Sequence, residues 1–343
     1  MTFDELKLRR LTEQYLIQPS SKYEVVKNLC GIQAQFFSYS VHAVKIRAND
    51  FNEATFADGL VRNWTLRGTM HLLLEEDLPL FKHDAQYRFV RLRDTLEGDE
   101  HISAERKKYF ADIIIDSIKQ GVNEREMIKQ RCFALGMTAG EAKSVFDPWG
   151  GLTHALCDSG IMSYTAEQAK KYKLVKPYMP MKSDEAQLEI ARRYFTHYAP
   201  VTLKDAAYFF KKPQAKIKEW LRKLPVEIVN CSNKTYYYID SGNSYDHDIP
   251  ACIFLAGFDP LMLGYEKTDS PFLPLERLRG IYTLTGIVLP SILLHGKVIG
   301  KWQRKGKKLV CTLFERITAK DKRHITDTAE KLWGAGVNIV FEA

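Results

Sequence analysis

The sequence predicts an α+β protein in which helical units each run into short strands, followed by a β-rich final third. Two observations lead there. Amphipathic helical periodicity recurs through the first 240 residues and is punctuated by strand-like runs. After that, stretches such as ACIFLAGFDPLML, GIVLPSILLHGKVIGKWQR and KLVCTLFE are short, apolar and separated by turn residues. The chain of 343 residues is long for one domain and comfortable for several small ones. Its hydrophobic fraction of 45% and aromatic fraction of 12% belong to a folded, soluble chain.

The elements follow in order. Residues 3–17 read as a helix, with Leu6, Leu8, Leu11 and Leu16 among charges, and a second helix runs from about Ser21 to Gly31. GIQAQFFSYS comes next. WTLRGTMHLLL, Trp64 to Leu74, is rich in β-formers and reads as one strand around Gly68. Asp77 begins an amphipathic helix. A long helix over 104–119 ends near Gly121, NEREMIKQRCFALG follows, and further helices start at Thr138 and carry Leu152, Ala155 and Leu156 up to Gly160. IMSY begins a strand.

Residues 185–239 carry the clearest pattern. EAQLEIARRYFTHYA is a helix broken by Pro200, and Thr202 with Asp205 gives a capping-box start for TLKDAAYFF. After KKP comes the basic amphipathic helix QAKIKEWLRKL, and then VEIVN and TYYYID as two strand-like runs. Helix, turn, helix and hairpin is the winged-helix order. Residues 104–164 repeat it faintly, and the first hundred residues are a possible third copy. Helix 318–333 and a last strand, NIVFEA, close the chain.

Charge points to a polyanionic partner. The formal net charge is +8, and the excess is concentrated. Seven basic residues against two acids lie between Lys204 and Lys223, and six with no acid between Lys297 and Lys308. In the first cluster Lys211, Lys212 and Lys216 are candidate phosphate contacts at a groove-entering helix, the competing reading being a solvated face. Arg304 and Lys305 in the second are either a further phosphate contact or a hairpin tip kept soluble by charge. Arg67 and His71 alternate on the expected strand and could share a face. A phosphate clamp is one reading for them and a hydrogen-bonded core histidine beside a surface arginine the other. Asp259 precedes a proline at a turn, where capping is the ordinary role.

Other classes are argued against. Six scattered cysteines without a CxxC pair speak against a zinc-cysteine site or a disulfide framework, and fit a reducing cytoplasm. MTFDELKLRR holds no apolar signal core, which argues against export, and no apolar run approaches the roughly 20 residues of a membrane span. Walker, GxSxG and HExxH signatures are absent.

Taken together, GIQAQ, WTLRGTMHLL, ARRYFTHYAPVTLKDAAYF, AGFDPLMLGY and VLPSILLHGKVIGKW resemble, in that order, the winged-helix DNA glycosylases of the AlkZ type. The resemblance covers most of the chain. It implies three tandem winged-helix units, here 1–100, 101–180 and 181–248, and a C-terminal β-rich, barrel-like domain over 249–343. It also implies a monomer curved around double-stranded DNA that excises alkylated purines such as N7-alkylguanine, in some branches from interstrand crosslinks. Neither a cofactor nor a metal is expected from the sequence. The family's Gln-x-Gln signature falls on Gln33-Ala34-Gln35, which makes Gln33 and Gln35 the implied catalytic residues. If both amides hold one water, regular helix must be interrupted there, because i and i+2 diverge on a helix and share a side on an extended chain. Non-catalytic readings stay open: a winged-helix DNA-binding regulator, or a scaffold whose basic patches meet acidic proteins.

Overall fold

In a computed structural model, described over residues 1–83, 102–147 and 150–342, the chain opens with helices α1 (Phe3–Glu13) and α2 (Lys22–Asn28), strand β1 (Ile32–Gln33) and helix α3 (Phe37–Lys45). Strands β2 (Leu60–Trp64) and β3 (Met70–Leu74) lead to the short helix α4 (Leu78–Phe81). Four helices follow, α5 (Ala104–Lys119), α6 (Arg125–Ala134), α7 (Ala139–Val145) and α8 (Leu152–Asp158), then β4 (Met162–Thr165) and β5 (Tyr172–Leu174). Next come α9 (Ser183–His197), α10 (Leu203–Phe210) and α11 (Gln214–Leu221) with the strand pair β6 (Glu227–Cys231) and β7 (Lys234–Tyr238). The last third holds β8 (Cys252–Leu255), α12 (Pro260–Leu263), α13 (Leu278–Ile281), β9 (Ser291–Leu294), β10 (Lys297–Lys305), β11 (Lys308–Leu313), α14 (Ala319–Trp333) and β12 (Asn338–Glu342). The residues divide into two compact units, one of 1–51 with 188–343 and one of 52–187, the second crossing falling inside α9.

In the 52–187 unit, antiparallel strands run in the order β3-β2-β4-β5. Phe110 and Ile114 of α5, Ile128 and Cys132 of α6, Val145 of α7 and Leu156 of α8 close a core with Met162 and Tyr172. The helix ends are set locally. Thr138 and Glu141 form the reciprocal capping box that starts α7, and Gly121 and Gly160 take the left-handed backbone after α5 and α8.

The expectation of a single strand over 64–74 is corrected. Arg67 and Gly68 both have positive φ, 59° and 67°, and Thr65 N–H donates to Thr69 O at 3.0 Å, so the chain reverses into the β2–β3 hairpin with Trp64 opposite Met70. Arg67 therefore sits in the turn, off the strand that carries His71. The helix expected from Asp77 starts at Leu78, and the residues after His83 lie outside those described.

In the other unit, α9, α10, α11 and the β6–β7 hairpin stand in the expected order. Tyr194 stacks on Phe209 at 4.4 Å and Phe210 meets Trp220 edge-on at 4.9 Å. Thr202 and Asp205 form the predicted capping box. The C-terminal sheet runs β12-β11-β10-β9-β8, antiparallel except for the parallel β11–β12 pair. This corrects the barrel-like expectation. Closure would need the two edge strands, β8 and β12, to pair, and they stand at opposite ends of an open five-stranded sheet. Helix α14 covers one face, burying Ile325 and Ala329 with Phe254, Ile292, Leu309 and Cys311. All six cysteines are buried, and none is joined in a disulfide among the described residues. No helix among the described residues is long and apolar enough to cross a membrane.

Candidate active site and nucleic-acid contacts

The backbone around the two glutamines is irregular. Helix α2 is capped by Ser21 and stops at Leu29, where Cys30 and Gly31 take left-handed φ of 57° and 82°. Gly31 N–H donates to Val26 O at 2.9 Å, closing the helix end in the Schellman manner. Ile32 and Gln33 are extended, the chain bends at Gln35 and Phe36, and α3 resumes only at Phe37. The interruption that a shared-water geometry requires is present. Gln33 keeps 8% of its surface and Ala34 1%, whereas Gln35 is exposed.

Neighbouring elements fix this segment from both sides. At the α2 end, Tyr198 Oη, just after α9, donates to Leu29 O at 2.9 Å and Arg193 Nη1 of α9 donates to Lys27 O at 3.1 Å. On the α3 side the support is the turn Ala256–Pro260. Phe36 stacks on Phe258 at 5.8 Å, and a Cβ at Gly257 would stand 2.4 Å from the Tyr39 ring. Asp259 caps α12 through Leu261 N–H at 2.9 Å, as the turn predicted. It also accepts Arg47 Nη2 at 2.6 Å and Nη1 at 3.1 Å, with both side chains wholly buried. Sequence reasoning missed Arg47 because 212 residues separate the partners and no local pattern joins them. His42 of α3 donates through Nε2 to Phe254 O at 2.7 Å and packs on Trp302 and Trp333. Burial pushes its pKa down to about 4, so it is a neutral, structural imidazole near pH 7.

Arg67 and His71, in the other unit, do meet: Arg67 Nη2 lies 3.3 Å from His71 Nε2. His71 is 1% exposed, and burial first, then the Arg67 charge, lowers its pKa to about 3. Its Nδ1 lies 3.0 Å from Thr69 O, an atom that can only accept, so Nδ1 carries the proton and Nε2 accepts from Arg67. His71 is thus a buried, hydrogen-bonded ring, and its Nε2 contact holds the Arg67 guanidinium at the hairpin turn.

The basic candidates lie on the surface of their elements. Lys211 ends α10 with a left-handed φ of 49° and is exposed, as is Lys212. Lys216 pairs with Glu219 at 3.1 Å. On the β10–β11 hairpin, Arg304 Nη1 donates to Gly306 O at 2.7 Å, its guanidinium lies 5.6 Å from the centre of the Trp333 ring, and Lys305 is exposed opposite Lys308.

A three-helix unit with a hairpin wing, an irregular glutamine segment clamped by buried contacts, and exposed lysines at a helix start define a winged-helix type of protein. The model of the AlkZ-like family, described as "DNA glycosylase AlkZ-like", matches residues 26–334, and the chain belongs to that family. A curated relative, the "Interstrand DNA cross-link repair glycosylase" of Streptomyces sahachiroi, is 22% identical over 91% of each chain. The solved structure of Streptomyces sahachiroi DNA glycosylase AlkZ superposes with a TM-score of 0.75 at 19% identity, covering 99% of both chains, a likeness of fold.

Proposed function

We propose that the chain is a monofunctional DNA glycosylase that hydrolyses the N-glycosidic bond of alkylated purines such as N7-alkylguanine, with a water held by Gln33 and Gln35. The observation that supports this reading is the break in helix at Gln33–Phe36, around the Gln33-Ala34-Gln35 motif, with Tyr198 and Arg193 holding the preceding helix end and Phe258 stacked on Phe36.

The chemistry suits neutral amides. Alkylation at N7 leaves the purine positively charged, so the base departs without an acid. The species that needs help is the sugar cation. Amide carbonyl oxygens can orient water on its far face and turn their negative ends toward C1′, which is positioning plus fixed-dipole stabilisation. In this scheme the nearly buried Gln33 is the fixed member and the exposed Gln35 the accessible one. An unmodified base departs as an anion, and such a site offers it no proton, which confines the reaction to damage. The exposed lysines Lys211, Lys212 and Lys305, with Arg304, would grip the phosphodiester backbone without reading sequence. Arg67, oriented by His71, would add a contact from the other unit. Interstrand crosslinks, named in what the curated relative is called, are the second substrate class to test.

The test is release of free base from a duplex carrying N7-methylguanine, with a crosslinked duplex as a parallel arm. Wild type releases base, and Gln33→Ala and Gln35→Ala each lower the rate about a hundredfold, the scale of losing one preorganised dipole. Because amides do not titrate, they add no ionisation of their own to the pH–rate profile. Tight binding of damaged duplex without release, in wild type as in both variants, would instead identify a non-catalytic DNA-binding protein.

A further inference from the structure

A second constellation of reactive side chains lies where the β9–β10 turn meets the start of α14. His295 occupies the left-handed first position of that turn, φ 47°, followed by Gly296 at φ 72°. Asp321 and His324 are three apart on α14 and therefore share one face. His295 Nε2 lies 3.1 Å from Asp321 Oδ1, and the two imidazoles meet edge to face with centroids 5.5 Å apart. One ligand atom from each of the three residues lies within 4.8 Å of the other two. His324 Nδ1 is shut off from solvent and has no hydrogen-bond partner among the described residues. A satisfied structural triad would leave no such atom.

We propose that His295, Asp321 and His324 form a site for a divalent transition ion of the zinc class, which pins the turn to the helix. Ligands held at zinc distances in a tetrahedron stand about 3.3 Å apart, so the separations require only small side-chain rotations. Two imidazoles and one carboxylate suit zinc, nickel or copper better than magnesium or calcium. Three protein ligands leave a fourth position for water. Asp321 is already oriented as a ligand. Its Oδ2 accepts the Thr318 hydroxyl at 2.7 Å and the Thr318 N–H at 3.2 Å, leaving Oδ1 for the ion. Two of the nearby cations are engaged elsewhere, Lys297 with Glu315 at 2.8 Å and Lys322 5.4 Å from the centre of the Phe341 ring. The buried cysteines compete poorly, since burial pushes the thiols of Cys252 and Cys311 up to about 12.

The experiment uses tag-free, full-length protein stripped with a chelator and dialysed against micromolar Zn²⁺. Wild type takes up one Zn²⁺ per chain, and its melting temperature rises with free Zn²⁺, as for any ligand that favours the folded state. His295→Ala and His324→Gln each weaken uptake by at least about tenfold and abolish the Zn²⁺-dependent rise. His295 is more than half exposed, so its removal tests the site without opening the core. Wild type that takes up no Zn²⁺, or that binds it no more tightly than both variants do, overturns the proposal. The outcome is independent of the glutamine chemistry.

Discussion

The carboxylate of Asp259 receives four donors: Arg47 Nη1 and Nη2, and the backbone N–H groups of Ala256 and Leu261. Arg47 in turn donates to the carbonyls of Gln14 and Ala43. Such a pair is stable only while both members are present. Asp259→Asn keeps the shape but leaves a guanidinium buried without its counter-charge, at an expected cost of about 3–5 kcal/mol. Urea denaturation reads this directly, and a loss below about 1 kcal/mol would mean that the pair behaves like a surface salt bridge. Three histidines add a pH dependence. His42, His71 and His197 are all held neutral mainly by burial, with pKa lowered from 6.5 to about 4, about 3 and about 4. Each is protonated in the unfolded chain before it is in the folded one. Stability is therefore full above pH 6.5 and falls as pH drops from 6.5 toward about 4, by at most about 1.4 kcal/mol per pH unit for each histidine. Urea midpoints measured across that window should decline with acid; a flat profile would contradict the burial of these rings.

At the scale of elements, the segment that carries the glutamines is shaped by one glycine on a distant turn. Gly257 has ordinary backbone space, but a Cβ there would stand 2.4 and 2.5 Å from two carbons of the Tyr39 ring. Gly257→Ala should cost about 1–3 kcal/mol by overpacking. Because Tyr39 is the obstacle, Tyr39→Ala with Gly257→Ala should cost clearly less than the sum of the two single changes. Additive losses in denaturation would show that the glycine is needed for some other reason. The contrast explains what was legible in sequence. The caps at Thr138 and Thr202 and the stops at Gly121 and Gly160 lie within a few residues of what they terminate, so local spacing announced them. The β9–β10 turn is equally local, made by two consecutive left-handed residues, His295 and Gly296. The Gln33–Phe36 break was expected from the geometry of two amides on one water. What stayed hidden depends on pairing across long separations. The reversal at Arg67-Gly68 was masked by continuous β-formers on both sides. Whether β8 and β12 meet to close a barrel is decided by edges about 90 residues apart, with no local trace.

At the scale of the molecule, the +8 net charge overstates what is available to a polyanion, because the fold engages part of the basic surplus internally. Lys204 pairs with Glu266 at 3.1 Å, Lys216 with Glu219 at 3.1 Å and Lys297 with Glu315 at 2.8 Å. Lys211 and Lys212 are exposed and form no ion pair among the described residues. They follow α10 directly and precede α11, the helix that a winged helix would bring to a groove. On the proposed function each should displace a condensed counterion from duplex DNA. The logarithm of the binding constant would then fall with the logarithm of salt concentration, by about 0.9 for each phosphate neutralised. Changing Lys211 and Lys212 together to alanine should flatten that slope by roughly 2 and weaken binding to damaged and undamaged duplex alike. Lys216→Ala should change it less, because Glu219 already holds that charge and reclaiming it has its own cost. Fluorescence anisotropy of a labelled duplex across a salt series reads all three. A slope unaltered by the double change would remove the α10–α11 turn from the DNA contact. Binding indifferent to salt in the wild type would point to acidic protein partners for the basic surface.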